Sequence, residues 1–316
     1  MSIPSVSVCI PTYNYGQYIP QAVDSVLSQT FTDFELLIVD DCSNDSTDEI
    51  LREYVRQDSR IRYIRHPTNL GMVENWNYCI RHARGNYIKY LFGDDFFASD
   101  RMLEKMFLIL ESDESISLVS SARKIVNDKS VQIDLWTYAD KNTIADGLDV
   151  IHRCLLTATN PIGEPSAVMF RAAHADRGFN WQYRQLVDLE MWFHILEKGR
   201  YAFLSEPLCS FRVHNEQQTC KNGKPNSLLE LYRIYEDFLC KKYISFGSVD
   251  KAFLPYDVIY QIWKFFHQHN ELHPKLTDTY IAYYGKKKFY FLYPIYKSYK
   301  PFRKLRKHIE NKSKAT

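Results

Sequence analysis

The stretch YLFGDDFF sets two carboxylates, Asp94 and Asp95, side by side at the end of an apolar run. Adjacent like charges repel, and burying them without a partner costs on the order of several kcal/mol. A bound divalent cation removes that cost, and so does plain exposure in a turn. A second pair, Asp40 and Asp41, closes the apolar run FELLIV, and the turn-forming loop Pro11–Asn14 follows SVSVCI. Neither glycine-built phosphate cradle is present: the first apolar run leads into IPTYNYG rather than GxGxxG, and GxxxxGK[ST] is absent. Phosphates held here must then be neutralised by a cation, and hard carboxylate oxygens such as those of Asp94-Asp95 suit Mg2+ or Mn2+.

Three polar loops make one site only if the chain brings them to one edge. SVSVCI (5–10) alternates and is β-branched, so it reads as a strand. Ile19, Ala22, Val23, Val26 and Leu27 then recur at helical spacing. FELLIVD (34–40) is a buried strand, SNDSTDEILREYV a capped helix, and IRYIR (61–65) a third strand. A helix over 72–83, a strand NYIKYLF (86–92), a helix over 99–112 and a strand SISLVSSA (115–122) continue the alternation. That pattern predicts an α/β fold with a parallel sheet, helices on both faces and a ligand at the carboxyl ends of the strands. All three loops fall there. Beyond 123 the pattern is less regular. PSAVMFR (165–171) reads as a strand, VDLEMWFHILEKG (187–199) as a helix, and YAFLS and CSFRVH as separate short strands. From 226 the chain turns helical, and CKNGKPN (220–226) marks a boundary between a domain at 1–220 and a helical region at 221–316.

The 316 residues leave ample room for a core, and 45% hydrophobic with 25% charged content is ordinary for a globular chain. Seven Cys (9, 42, 79, 154, 209, 220, 240) show no CxxC or zinc spacing, which suits a reduced, cytoplasmic protein. The N-terminus lacks a basic, then apolar, leader, and no 18-residue apolar run appears. The net charge of +2 is uneven. Residues 283–316 hold eleven Lys/Arg against one acid, and the remainder carries a net −8. Nine Tyr/Phe lie between 283 and 302, with Pro294 and Pro301 among them. Aromatics partition to headgroups and basic residues to anionic surfaces, so this tail predicts a kinked or partly extended segment on an anionic membrane surface. A solvated tail, or aromatics packed on the helices at 226–270, are the plainer readings.

The run VSVCIPTYNYGQYIPQAVDSVLSQTFTDFELLIVDDCSNDSTDEIL resembles the opening of the family 2 glycosyltransferases, which have the GT-A fold. NLG (69–71), GDD (93–95), PSAVMFR (165–171), Asp188 before a Trp-bearing helix and FRVH (211–214) extend the likeness to roughly 5–215, and 226–316 is unmatched. The resemblance implies inverting transfer of a sugar from a nucleotide-diphosphate sugar, first of all a UDP-sugar, to a hydroxyl of a glycan or lipid-linked acceptor. The setting it implies is bacterial surface polysaccharide or glycoconjugate synthesis, at the inner face of the cell membrane. By position, Pro11, Thr12, Tyr13, Asn14, Asp40, Asp41, Asn69, Gly71, Asp94 and Asp95 would bind the donor, with Tyr13 on the nucleobase and Asp41 accepting from it. Asp95 and His214 would hold the metal, and Asp188 would be the general base. Glu190, two residues on, is the rival base, and Asp188 could instead cap its helix. Glu164 and Ser166 would face the acceptor, and Arg212 is either a diphosphate contact or a sheet-edge charge. Asn75 and Trp76 depart from the family pattern, and Asn75 and Asn77 read equally as donor contacts or surface polars. Two other classes compete. RNA-copying polymerases also use GDD, but in a hairpin, and SVSVCIPTYN has no place in their fold. A binding protein using the basic aromatic tail on membrane or nucleic acid is the non-enzyme reading; with the site loops intact, no nucleic-acid partner is expected.

Overall fold

The computed structural model describes residues 3–214, 217–244, 246–268, 281 and 284–313, with backbone alone for 218–226, 265–268 and 302–313. The chain divides into two compact units: Met1–Val150 with Asn160–Gln217, and Ile151–Thr159 with Gln218–Thr316.

The first unit is built on one mixed sheet. Its strands are β1 (Val6–Thr12), β2 (Phe34–Asp40), β3 (Ile61–Arg65), β4 (Tyr87–Tyr90), β5 (Phe96–Phe97), β6 (Ile116–Val126), β7 (Gln132–Trp136), β8 (Thr143–Ala145), β9 (Val168–Arg171) and β10 (Arg200–Arg212). The order is β3-β2-β1-β4-β9-β6-β10-β5, with β7 on β6 and β8 on β10. β3, β2, β1 and β4 are parallel, as the alternation predicts. The wholly parallel expectation stops there, because β9 enters antiparallel between β4 and β6. YAFLS and CSFRVH are one strand, β10, whose register shifts on either side of Pro207, where a proline cannot donate to the ladder. PSAVMFR is a 3-10 turn, Pro165–Ala167, followed by the short β9.

β1 and β2 are buried at every position, which suits the nearly continuous apolar run of β2, whereas β1 alternates in sequence and buries Ser7 and Thr12 as well. On one face, Val6, Val8, Ile10, Leu36 and Ile38 meet α1 (Ile19–Leu27), α2 (Thr47–Gln57) and α4 (Met102–Ser112) through Val23, Leu51 and Met106. Each such side chain contributes roughly 1.5–3 kcal/mol by burial. On the other face lie α3 (Met72–His82) and α6 (Val187–Leu196). There Tyr90 Oη donates to the Trp76 carbonyl at 2.7 Å, and the Trp192 ring meets Phe170.

The second unit joins the later part of α5 (Gly147–Thr157) to α7 (Gln218–Leu239), α8 (Ser248–Gln268) and α9 (Lys286–Ser313). Two expectations are corrected. CKNGKPN lies inside α7 rather than at the boundary, which falls at Gln217/Gln218. The tail is helical rather than partly extended, since α9 runs through both Pro294 and Pro301. Phe289, Tyr293, Tyr296 and Tyr299 recur on one helical face and pack on Phe253, Tyr256 and Tyr260 of α8, so tertiary packing outweighs proline's local preference.

Candidate active site

The carboxyl ends of β1, β2 and β4 carry the three polar loops of the sequence. At the end of β2 the two aspartates divide their work. Asp40 is fully buried, accepts from the Ser43 amide at 3.0 Å and from the Ser43 and Tyr63 hydroxyls, and pairs with Arg65 at 3.3 Å. It is the anchor of the loop. Asp41 accepts from the Leu70 and Gly71 amides at 2.6 and 2.9 Å, and so folds Asn69-Leu70-Gly71 over the strand ends. Asn69 reinforces this through the Asp41 carbonyl, and Gly71 enters α3 at φ +88, which a side chain would strain. Asn14, at φ 58, donates its amide to Ser43 Oγ and accepts from the Asn44 amide through its side chain, tying the first loop to the second. Tyr13 stands exposed beside them, and Pro11 lies within β1 opposite Val39.

Polar atoms without protein partners mark this edge. Thr12 Oγ1, Asn75 Oδ1 and His66 Nε2 are buried and make no hydrogen bond. Asn75 holds the Val39 carbonyl with its other atom, and the His66 amide donates to Asp40. A Cβ at Gly93 would sit 2.8 Å from Thr12 Oγ1, so the glycine of GDD leaves room beside that oxygen. An unmet buried polar atom costs about 1–3 kcal/mol, and three at one edge suit a polar ligand. His66 carried no sequence signal beyond its place after β3. Asn77 is settled: its side-chain amide pairs with both main-chain groups of Phe179, a bracing role.

Asp94 and Asp95 are buried beyond the end of β4. Asp95 accepts from Ser166 Oγ at 2.5 Å and from the Arg212 amide at 2.9 Å, and Asp94 meets His214 Nε2 at 3.1 Å. Burial first, then the charge of Asp94, pushes Asp95 well above the ordinary carboxylate range. Among the described residues no Lys or Arg side chain forms an ion pair with either carboxylate. Burial and the neighbouring Asp94 likewise hold the Tyr15 phenol protonated. Carboxylate oxygens and an imidazole are donor types that suit Mg2+ or Mn2+, and the pair's excess charge is what a cation would relieve. No three His, Cys, Asp or Glu side chains converge as a full ligand set among the described residues.

Several expected roles change. Ser166 is buried, with its hydroxyl bridging Asp95 and the Phe92 amide, so it orders the carboxylate and has no surface to offer an acceptor. Arg212 is buried too. Its guanidinium donates to the Asp94, Asn127 and Asp128 carbonyls and to Gln21, and lies over the Tyr18 ring, which leaves it a framework group rather than a phosphate contact. Glu190, the rival base, is clamped by two 2.7 Å bonds from Arg177. Asp188, in the first turn of α6, accepts from Asn160 Nδ2 at 3.2 Å and from the Leu189 amide at 2.7 Å. Burial lifts its pKa to about 7. Glu164 pairs with Arg123 at 2.5 Å and acts electrostatically on both Asp95 and Asp188, so the three carboxylates share one region. Lys89 is the residue sequence reasoning missed. Fully buried in β4, its ammonium donates to the Tyr90 and Ser166 carbonyls at 2.6 Å, and burial lowers its pKa to about 7.

Residues 7–179 match the family described as glycosyl transferase family 2. The chain belongs to that family. Among its relatives, the chondroitin synthase of Pasteurella multocida is 31% identical over 225 residues, covering 70% of this chain and 22% of that longer protein. Solved structures agree in fold. TarS of S. aureus, residues 1–349 bound to UDP-GlcNAc, superposes with a TM-score of 0.67 at 18% identity, over 88% of this chain and 79% of that one. The mannosyltransferase PcManGT of Pyrobaculum calidifontis, in complex with GDP-Man and Mn2+, gives 0.55 at 14% identity, over 98% and 88%. Both belong to the GT-A glycosyltransferases, and this family 2 member shares their fold.

Proposed function

We propose that this glycosyltransferase moves a sugar from a nucleotide-diphosphate donor, a UDP-sugar first of all, to a saccharide hydroxyl by a single inverting displacement. Asp188 takes the acceptor proton as the acceptor oxygen bonds to the anomeric carbon. The bond from that carbon to the diphosphate breaks, and its electron pair leaves with the nucleoside diphosphate. A base with pKa near 7 is well matched to this task at neutral pH. Thr12, Tyr13, Asn14, Asp41 and the Asn69–Gly71 loop hold the nucleoside, and Asp94, Asp95 and His214 lie against the diphosphate. A divalent cation held by Asp95 and His214 would stabilise the charge developing on the leaving group. The chondroitin synthase relative and the UDP-GlcNAc complex of TarS support a polysaccharide acceptor and a uridine donor. A cytoplasmic site of action is part of the same reading.

The observation that carries the proposal is the buried Asp94–Asp95 pair with His214, at the strand edge where Thr12, His66 and Asn75 leave polar atoms unmet. The test is thermal stabilisation by UDP-, TDP- and GDP-sugars with and without Mn2+, followed by NMR of the product's anomeric configuration. UDP-sugars should raise the melting temperature only with the metal, and Asp95→Ala should lose that shift and all transfer. Full transfer in excess chelator would remove the metal from the mechanism, and no shift with any sugar nucleotide would remove the function.

A further inference from the structure

The tail's aromatic residues do two different jobs. Phe289 and Tyr296 are buried against Tyr256 of α8, and Tyr299 stacks on Phe253 while donating to Asp250. This face of α9 is core. On the opposite face Tyr290, Phe291 and Ile295 remain 56%, 71% and 48% exposed. They follow one another over successive turns, so they form one stripe rather than scattered singles. Lys286, Lys287, Lys288 and Lys297 are exposed around them. From Lys286 to Pro301 the helix has five lysines and no acid. A solvated helix face has no need of Phe, Tyr and Ile outward, and a protein–protein contact of ordinary composition is depleted in lysine.

We propose that this outward face of α9 docks on a bilayer bearing anionic headgroups. Three apolar side chains insert at the interface, and the lysines around them meet lipid phosphates. Among the described residues no helix is long and apolar enough to cross a membrane, so the attachment is to the surface. The outward aliphatic and aromatic groups favour lipid over nucleic acid, which asks for charge and stacking planes but gives an isoleucine nothing to enter. None of these residues belongs to the donor site, and the test does not depend on which sugar is transferred.

Vesicle co-sedimentation of the full chain decides the matter, with phosphatidylcholine alone against phosphatidylcholine containing phosphatidylglycerol. Binding should be at least about tenfold stronger to the anionic vesicles, since each lysine near such a surface contributes roughly a fivefold factor. Phe291→Ser with Tyr290→Ser should lose about tenfold or more, as each removes an aromatic that docking would bury in the bilayer interface. The Phe291→Trp chain, which keeps an exposed aromatic at that position, should bind as before and shift its fluorescence to the blue on vesicles. Equal binding to both vesicle types overturns the proposal. So does a Phe291→Trp emission spectrum that vesicles leave unchanged. If a short RNA displaces the vesicles and binds the Phe291→Ser chain as tightly as the parent, the face is a nucleic-acid site and the membrane assignment is wrong.

Discussion

Asp188, the proposed base, shows burial raising a carboxylate's pKa at a cost to the stability of the fold. Its pKa of about 7 arises because burial disfavours the anion, with the Leu189 amide opposing. A group whose folded pKa is raised is protonated in the fold and ionised in the unfolded chain between about pH 4 and 7. The fold is therefore penalised progressively across that window, and the penalty is complete above pH 7. Asp188→Asn should raise the melting temperature by a few degrees at pH 8 and leave it unchanged below pH 4. The same substitution should cut turnover by about 10²–10⁴-fold while sugar-nucleotide binding survives. The parent's rate should climb with pH to a plateau above 7. A variant that is dead yet no more stable at pH 8 would mean the carboxylate is not held as buried. Glu190→Gln should instead destabilise, because Arg177 loses its bidentate partner. Sequence reasoning placed Asp188 by family likeness but left Glu190 open, because only the fold shows that Arg177, thirteen residues earlier, reaches it. Ser166 was read as facing an acceptor and Arg212 was left between two roles for the same reason: a polar residue type does not reveal whether its hydrogen bonds are already taken.

At the scale of elements, hydropathy patterning located β1 to β4 and their helices, because β1, β2 and β4 are buried on both faces, the edge strand β3 only in part, and each helix on one face. It did not locate the antiparallel entry of β9, since a four-residue apolar strand carries no mark of its direction. Lys89 was the overlooked signal, a lone ammonium in the apolar run NYIKYLF. Its bonds to the Tyr90 and Ser166 carbonyls pin the end of β4 to the 3-10 turn, and Ser166 in turn orients Asp95. Lys89 is thus a positioning residue for that carboxylate. Lys89→Met frees the turn and removes a nearby positive charge, and leaves the direct hydrogen bonds of Asp95 in place. The Mn2+ concentration for half-maximal activity should rise about tenfold, the cost of roughly 1.4 kcal/mol in holding the ligand. The rate at saturating metal should stay near that of the parent. A fall in the saturated rate with an unchanged metal requirement would place Lys89 in the fold's general stability and not behind Asp95.

At the scale of the whole molecule, the chain crosses between its units more than once. The second unit takes in Ile151–Thr159 as well as Gln218–Thr316, so α5 begins in one unit and ends in the other. The sequence-level division at 220/221 leaves that piece with the first domain, because an eleven-residue amphipathic helix reads as belonging to its neighbours in the chain. In the structure Ile151, Cys154, Leu155 and Leu156 are buried, His152 stacks on Phe246 at 4.1 Å between ring centres, and Tyr235 Oη donates to the Leu155 carbonyl at 2.8 Å. A chain ending at Gln217 keeps α5 and loses those partners. Exposing three large aliphatic side chains at roughly 1.5–3 kcal/mol each removes an amount comparable with the 5–15 kcal/mol stability of a typical domain. The fragment 1–217 is therefore expected to aggregate or melt far below the full chain, and the full chain to unfold as one cooperative transition in calorimetry. A soluble 1–217 fragment that melts like the parent, with sugar-nucleotide binding intact, would show that α5 does not depend on its partners from the later helices. Tyr235→Phe is the milder probe, since it removes one hydrogen bond worth about 0.5–1.5 kcal/mol and leaves the apolar contacts in place. It should lower the single transition by only a few degrees without splitting it in two.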